Sequence, residues 1–145
     1  LFAYFIPVAI VPGALFMLTQ SLRIRPMRRL PIALGWLTKR PMDREAEDSY
    51  LGPVMNSGAV RRDSRKFIRG GDKKLTNDAA DKLGAFDKPA LIAWSAEDKA
   101  FPVADGVSLA EDLPDARLEM IDDAYTFSME DNPERLAGLI RDFAG

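Results

Sequence analysis

The stretch that decides the fold runs from Lys88 to Pro102 and reads Lys-Pro-Ala-Leu-Ile-Ala-Trp-Ser-Ala-Glu-Asp-Lys-Ala-Phe-Pro. It contains a short, continuous apolar run at residues 90–94, which is typical of a strand buried on both faces of a parallel sheet. The residues from Ser95 to Pro102 predict a loop at the carboxyl end of that strand. Because ligands of parallel sheets lie at the carboxyl ends of the strands, this loop is a candidate for function.

The residues after this loop alternate again between helix and strand. They predict a helix over Val103 to Leu113, a strand over Arg117 to Ile121 and a loop over Asp122 to Asp131. A last helix follows, since Asp131 or Asn132 can cap it and Pro133 suits its first turn. This order of elements implies parallel strands joined by a right-handed crossover.

The first 86 residues contain no convincing strand pattern and predict helices separated by breakers. We expect one helix to start near Pro12 and another at Asp43. Three more are expected over Met27 to Thr38, over Val60 to Ile68, and over Thr76 to Phe86. We therefore expect an α/β chain with a helical region at residues 1–86 and a β-α-β-α region at residues 87–145.

The opening stretch from Leu1 to Leu22 contains no charged residue, and basic residues follow from Arg23. Its length could span a bilayer, with the basic residues at the cytoplasmic end. Pro7, Pro12 and Gly13 interrupt the run, which favours the buried face of a helical subdomain. We expect a cytoplasmic protein, with membrane association through Leu1 to Leu22 as the alternative.

The composition limits the chemistry that the chain can perform. The 20 Lys and Arg nearly balance the 22 Asp and Glu, which gives a net charge of −2 and argues against a nucleic-acid partner. No cysteine is present, so disulfides and thiolate chemistry are excluded. No histidine is present either, which removes the usual general base near neutral pH and the commonest metal ligand. We therefore expect neither a metal nor a cofactor.

A run of basic residues lies between Arg61 and Lys74, diluted by Asp63 and Asp72. It predicts a solvated helix face. A phosphate- or lipid-binding patch is the alternative.

The loops after the two strands should lie near one another at one edge of the sheet. Asp98 in the first loop could orient a base and stabilise its charged form, or only cap a turn. Tyr125 and Thr126 in the second loop can donate hydrogen bonds, although packing and capping are the favoured roles. Ser95 is not expected to be a nucleophile, because the chain contains no Gly-x-Ser-x-Gly turn.

The chain from about Phe86 to Gly145 resembles the C-terminal part of α/β-hydrolases. Residues 88–102 look like the seventh strand and acid loop of that family, with the pattern Pro-x-Leu-x-x-Trp-Gly-x-x-Asp-x-x-x-Pro, although Ser95 replaces the glycine. Leu113 to Ile121 resembles the last strand, and Asp131 to Leu136 resembles the start of the C-terminal helix. The resemblance implies an incomplete α/β-hydrolase-like fold, in which residues 1–86 correspond to the cap and the nucleophile elbow lies upstream of Leu1.

By this resemblance Asp98 is the acid of the catalytic triad, and Thr126 stands at the position of the histidine. The implied family activity is hydrolysis of a small ester or similar acyl substrate, and this chain alone is expected to be inactive. Trp36, Tyr50 and Phe67 are candidates to line a pocket for a small apolar or ester-type molecule. The expected partner is the missing N-terminal half of the fold.

Two alternatives stay open at this point. The first is a non-catalytic relative of the α/β-hydrolases that binds a small apolar ligand or a partner, an idea that Thr126 motivates. The second is a membrane-anchored small α/β module.

Overall fold

The computed structural model describes residues 7–145, which fall into two compact units. The first unit comprises the residues up to Gly35 together with Pro41–Gly71, and the second comprises Trp36–Arg40 together with Asp72–Gly145. The first unit is helical, and the second contains two parallel strands with helices. The chain is therefore α/β, as predicted. The division into a cap-like region and a hydrolase core at residue 86 stays a prediction.

Between residues 14 and 69 the first unit contains four helices and one distorted turn. The helices are α1 (Ala14–Ser21), α2 (Arg25–Arg28), α3 (Arg44–Asn56) and α4 (Gly58–Arg69), and the turn is Pro31–Gly35. The α3 helix was expected to start at Asp43 and begins one residue later, because the Asp43 side chain caps it by accepting a hydrogen bond from the Ala46 N–H. The α4 helix begins two residues earlier than predicted, because the Ser57 side chain accepts from the Val60 N–H.

The prediction of one continuous helix over Met27 to Thr38 is wrong. The α2 helix ends at Arg28, and Ala33 has a non-helical backbone with φ −117° and ψ −113°. Pro31 explains the break, since it has no N–H to donate and disfavours helical backbone in the residue before it. The helix expected from Pro12 begins instead at Ala14, after Gly13 with a φ of 80° that suits glycine.

The second unit begins its regular structure with α5 (Lys73–Ala80) and a 3₁₀ turn (Leu83–Ala85). The helix predicted over Thr76 to Phe86 is thus shifted towards the N-terminus, because the Asp72 side chain caps α5 by accepting from the Lys74 N–H. The remaining elements are β1 (Ala90–Ser95), α6 (Val103–Asp112), β2 (Ala116–Ile121), α7 (Ser128–Asp131) and α8 (Pro133–Ala144).

The predicted parallel pairing is confirmed: β1 and β2 run in register from Ala90 opposite Ala116 to Ser95 opposite Ile121. The core of this unit consists of Ile121, Ala124 and Leu139, against which residues of β1 and α8 pack. The expectation that β1 is buried on both faces holds only in part. Ile92 and Ser95 are buried and the other four residues of the strand are half-buried, because a single strand pairs with β1 in the described part of the chain.

No helix within residues 7–145 has the length and apolar character needed to cross a membrane. Residues 1–6 of the anchor considered above lie outside the described part of the chain.

The contact between α6 and β1 depends on Gly106. A Cβ atom at this position would lie 2.6 Å from Cδ2 of the Trp94 indole, which is closer than real Cβ contacts come. The indole is rigid, so the helix or the ring must shift to admit a methyl group. Gly138 in α8 is a matched control, since a Cβ there would meet no atom within 4 Å.

We expect Gly106→Ala to lower the free energy of unfolding by about 1–3 kcal/mol through overpacking. Gly138→Ala should raise it by about 0.5–1 kcal/mol, because alanine has the higher helix propensity. Urea-induced unfolding of the two variants at 25 °C measures both changes. Equal effects of the two substitutions would show that Trp94 does not restrict Gly106.

Candidate functional site

The loops that follow β1 and β2 meet at the carboxyl edge of the parallel pair. The pairing continues one residue past β1, where the Ala96 N–H donates to the Ile121 carbonyl at 2.9 Å. Beyond this point the Oγ1 hydroxyl of Thr126 donates to Oδ1 of Asp98 at 2.7 Å. The structure thus brings together the two residues that sequence analysis singled out, although they lie 28 positions apart.

Asp98 is held in a fixed orientation by its own loop. Its Oδ1 atom also accepts hydrogen bonds from the backbone N–H groups of Ala100, at 2.8 Å, and Phe101, at 2.9 Å. Asp98 therefore caps a turn and contacts position 126 with the same oxygen atom. Both roles considered for this carboxylate are compatible in one geometry.

Ser95, the last residue of β1, makes a hydrogen bond to the second loop. Its side chain is buried, and its Oγ hydroxyl donates to the carbonyl of Tyr125 at 2.6 Å. The Ser95 hydroxyl thus binds the backbone of Tyr125, the residue that precedes Thr126. Glycine, which the family pattern has at this position, could not make this bond.

Asp131 holds the second loop through its carboxylate. Oδ2 accepts from the backbone N–H of Tyr125 at 2.9 Å and from that of Lys39 at 2.7 Å, while Oδ1 accepts from Lys39 at 3.0 Å and from Arg40 at 3.1 Å. Asp131 is only 9% exposed, so its carboxylate has lost most of its hydrogen bonds to water. The bonds from the backbone N–H groups compensate for this loss. Sequence analysis considered Asp131 as a helix cap, but Asn132 caps α8 by accepting from the Arg135 N–H.

A network of four charged side chains connects these loops to the segment Trp36–Arg40. Lys39 Nζ is 2.6 Å from Glu97 Oε1 and 2.8 Å from Asp123 Oδ1, and Arg40 Nη2 pairs with Asp123 Oδ2. Asp123 has a φ of 60°, a left-handed conformation that aspartate tolerates better than most residues. Hydrogen bonds from Lys39 and then Arg40 lower the pKa of Asp123 below its ordinary value. Sequence analysis did not predict this network.

The predicted pocket residues belong to two different units. Trp36 is half-buried in the second unit, whereas Tyr50 on α3 and Phe67 on α4 belong to the first unit and are 41% and 71% exposed. None of the three lines the cavity of about 170 Å³ in the first unit. Their role as pocket lining stays a prediction.

The chemistry open to this site follows from its side chains. A threonine hydroxyl beside a carboxylate can donate or accept hydrogen bonds, but it cannot take up a proton near neutral pH as histidine does. Within residues 7–145 no cluster of three or more carboxylates could hold a metal ion.

No protein-family model matches the chain. The chain is similar to a protein named uncharacterized hydrolase YugF, from Bacillus subtilis (strain 168), with 30% identity over 105 residues. That stretch covers 72% of this chain and 37% of the relative, so the chain spans little more than a third of the relative's length. The similarity supports a hydrolase relationship.

The charged network makes a prediction about the titration of Asp123. Because its pKa is lowered in the folded state, the contacts to Lys39 and Arg40 stabilise the fold at pH values above about 4, the ordinary pKa of aspartate. This contribution is lost as the pH falls through the lowered pKa. We expect Lys39→Met and Arg40→Met each to raise the pKa of Asp123 towards its ordinary value.

Carboxyl carbon NMR titration of Asp123 measures this shift in each variant. Lys99→Met is the matched control, since the Lys99 ammonium lies over the Tyr125 ring, 4.5 Å from its centroid, and is not paired with Asp123. An unchanged Asp123 midpoint in both test variants would show that the network does not act on this carboxylate.

Proposed function

We propose that the chain is the C-terminal part of an α/β-hydrolase-fold protein, with the cap helices in residues 1–86 and the acid and base loops of the core in residues 87–145. The family activity would be hydrolysis of a small ester or similar acyl substrate. The observation that carries the proposal is the 2.7 Å hydrogen bond between Asp98 and Thr126 at the carboxyl edge of the parallel strands.

This contact has the features that a triad acid requires. The acid of a triad must touch the side chain of the base and hold it in one orientation. Asp98 makes a side-chain hydrogen bond to position 126, and two backbone N–H groups donate to the same carboxylate oxygen. A histidine at position 126 would start from the same backbone and could direct an N–H towards Asp98.

The similarity to a protein named as a hydrolase supports the same proposal. The strand order and the residues around Asp98 support it independently, because they follow the family pattern from Pro89 to Pro102 with Ser95 as the departure.

The missing base limits what this chain can do. The Thr126 hydroxyl is neutral near pH 7 and donates a hydrogen bond to Asp98. It therefore cannot act as the base that activates a serine nucleophile. The chain has no histidine and no Gly-x-Ser-x-Gly turn. We therefore expect no ester hydrolysis by this chain alone.

Thr126 also favours a second candidate function, a non-catalytic relative that binds a small apolar ligand or a partner. In such a protein the bond from Thr126 to Asp98 would serve to close the loops, and no base would be needed. The two candidates differ in whether the remaining machinery for hydrolysis is intact.

The substitution Thr126→His in the protein translated from the native gene separates the two candidates. If the base alone has been lost, hydrolysis of p-nitrophenyl butyrate should rise by about 10²–10⁴-fold, which is the usual contribution of general acid–base catalysis. Thr126→Gln is the matched control, because it offers a polar side chain of similar reach that is no base. Adding Asp98→Asn to Thr126→His should remove most of the gain.

Two results would contradict the hydrolase proposal. One is a folded Thr126→His protein without increased hydrolysis, which would favour the binding relative. The other concerns the reading frame upstream of Leu1, where we expect a strand, a Gly-x-Ser-x-Gly turn and a helix. A start codon close to Leu1 would exclude a triad built with this chain's Asp98.

A further inference from the structure

A second candidate site lies wholly within the first unit. A cavity of about 170 Å³ opens beside α4, and its walls are of two kinds. Val11, Leu15 and Phe16 form an apolar wall together with Gly13, and three arginines of α4 form the other wall, namely Arg61, Arg62 and Arg65. A cavity with both an apolar and a cationic wall fits a ligand with a tail and an anionic head.

Two of these arginines are fixed by backbone carbonyls. Arg61 Nη1 donates to the carbonyls of Val54, at 2.8 Å, and Met55, at 2.9 Å, and its guanidinium lies over the Phe16 ring, 5.3 Å from the centroid. Arg65 Nε donates to the Ala9 carbonyl at 2.7 Å. These bonds orient the guanidinium groups, but carbonyls carry no net charge and leave the positive charge uncompensated.

In the part of the chain that the structure describes, no carboxylate pairs with these arginines. Within the described residues none of Arg61, Arg62 and Arg65 forms an ion pair, and the carboxylate of Asp63 on the same helix faces Lys66 at 3.9 Å. The segment that forms the apolar wall contains no carboxylate, because the first acidic residue of the sequence is Asp43. Three positive charges thus line one small cavity beside apolar side chains.

Arg62 is the arginine whose donors remain available to a ligand. It lines the cavity, is exposed and makes no hydrogen bond within residues 7–145. Its guanidinium offers the planar fork that matches a carboxylate.

The cavity volume limits the tail of the ligand. An engineered protein cavity of about 150 Å³ accepts benzene, so a cavity of about 170 Å³ has room for roughly six carbon atoms. We propose that this cavity binds a short-chain carboxylate of about six carbons, with its head on Arg62 between Arg61 and Arg65 and its tail against Val11, Leu15 and Phe16. This proposal does not depend on the function proposed above.

The test is an NMR titration of the purified protein with sodium hexanoate. We expect saturable shifts confined to the cavity residues, with a dissociation constant on the order of 1 mM for so small a ligand. Acetate, which lacks the tail, and hexan-1-ol, which lacks the charge, should each bind at least about fivefold more weakly.

Variants locate the binding site. Arg62→Gln should weaken hexanoate binding by about five- to tenfold and leave the melting temperature unchanged, because the Arg62 side chain holds no other described residue. Lys66→Gln is the matched control, since it removes one positive charge from α4 outside the cavity. Phe16→Ala should weaken the binding of hexanoate more than that of acetate.

Three results would overturn the proposal. Shifts that grow linearly with hexanoate would mean that no site exists. Equal weakening by Arg62→Gln and Lys66→Gln would mean that the ligand responds only to the charge of the helix. Adsorption to phosphatidylglycerol vesicles without saturable hexanoate binding would identify a membrane-docking surface instead.

Discussion

The candidate site of the second unit depends on one buried carboxylate. Asp131 accepts the backbone N–H groups of Lys39, Arg40 and Tyr125, and so joins a segment before the first unit's long helices to the loop after the last strand. Without it, three N–H groups would have to find other partners, at a cost of about 1–3 kcal/mol for each one left buried and unpaired. The position of Thr126 against Asp98 follows from this anchor, because Tyr125 is the adjacent residue. Ser95 also fixes Tyr125, since its hydroxyl donates to the Tyr125 carbonyl.

The local patterns of the sequence were sufficient for much of this fold. The apolar run at residues 90–94 identified β1, and the Asn132-Pro133 pair identified the start of α8, since both signals lie within a few residues of the structure they determine. The meeting of Asp98 and Thr126 was also predictable, because parallel strands place the loops that follow them at one edge. The helical region was predicted less well. There, a cap such as Ser57 or a proline such as Pro31 shifted or broke helices whose apolar spacing alone indicated a different extent.

The contacts that sequence analysis missed join residues far apart in the chain. Asp131 binds backbone atoms 91 and 92 positions away, and the Lys39–Asp123 pair spans a similar distance. Such contacts leave no periodic pattern, and a lysine or aspartate in a loop is equally consistent with a solvated surface. The three arginines beside the first unit's cavity show the same limit, since their spacing predicted a helix face and gave no indication of the apolar wall opposite them.

The way in which Asp131 binds its partners affects how the sequence can change over evolutionary time. Its carboxylate accepts the main-chain N–H groups of residues 39, 40 and 125, and these bonds are indifferent to which side chains stand at those positions. Every residue type except proline presents the same donor at those positions. Substitutions at positions 39, 40 and 125 can therefore alter the surface beside the candidate site while the main-chain bonds to Asp131 persist.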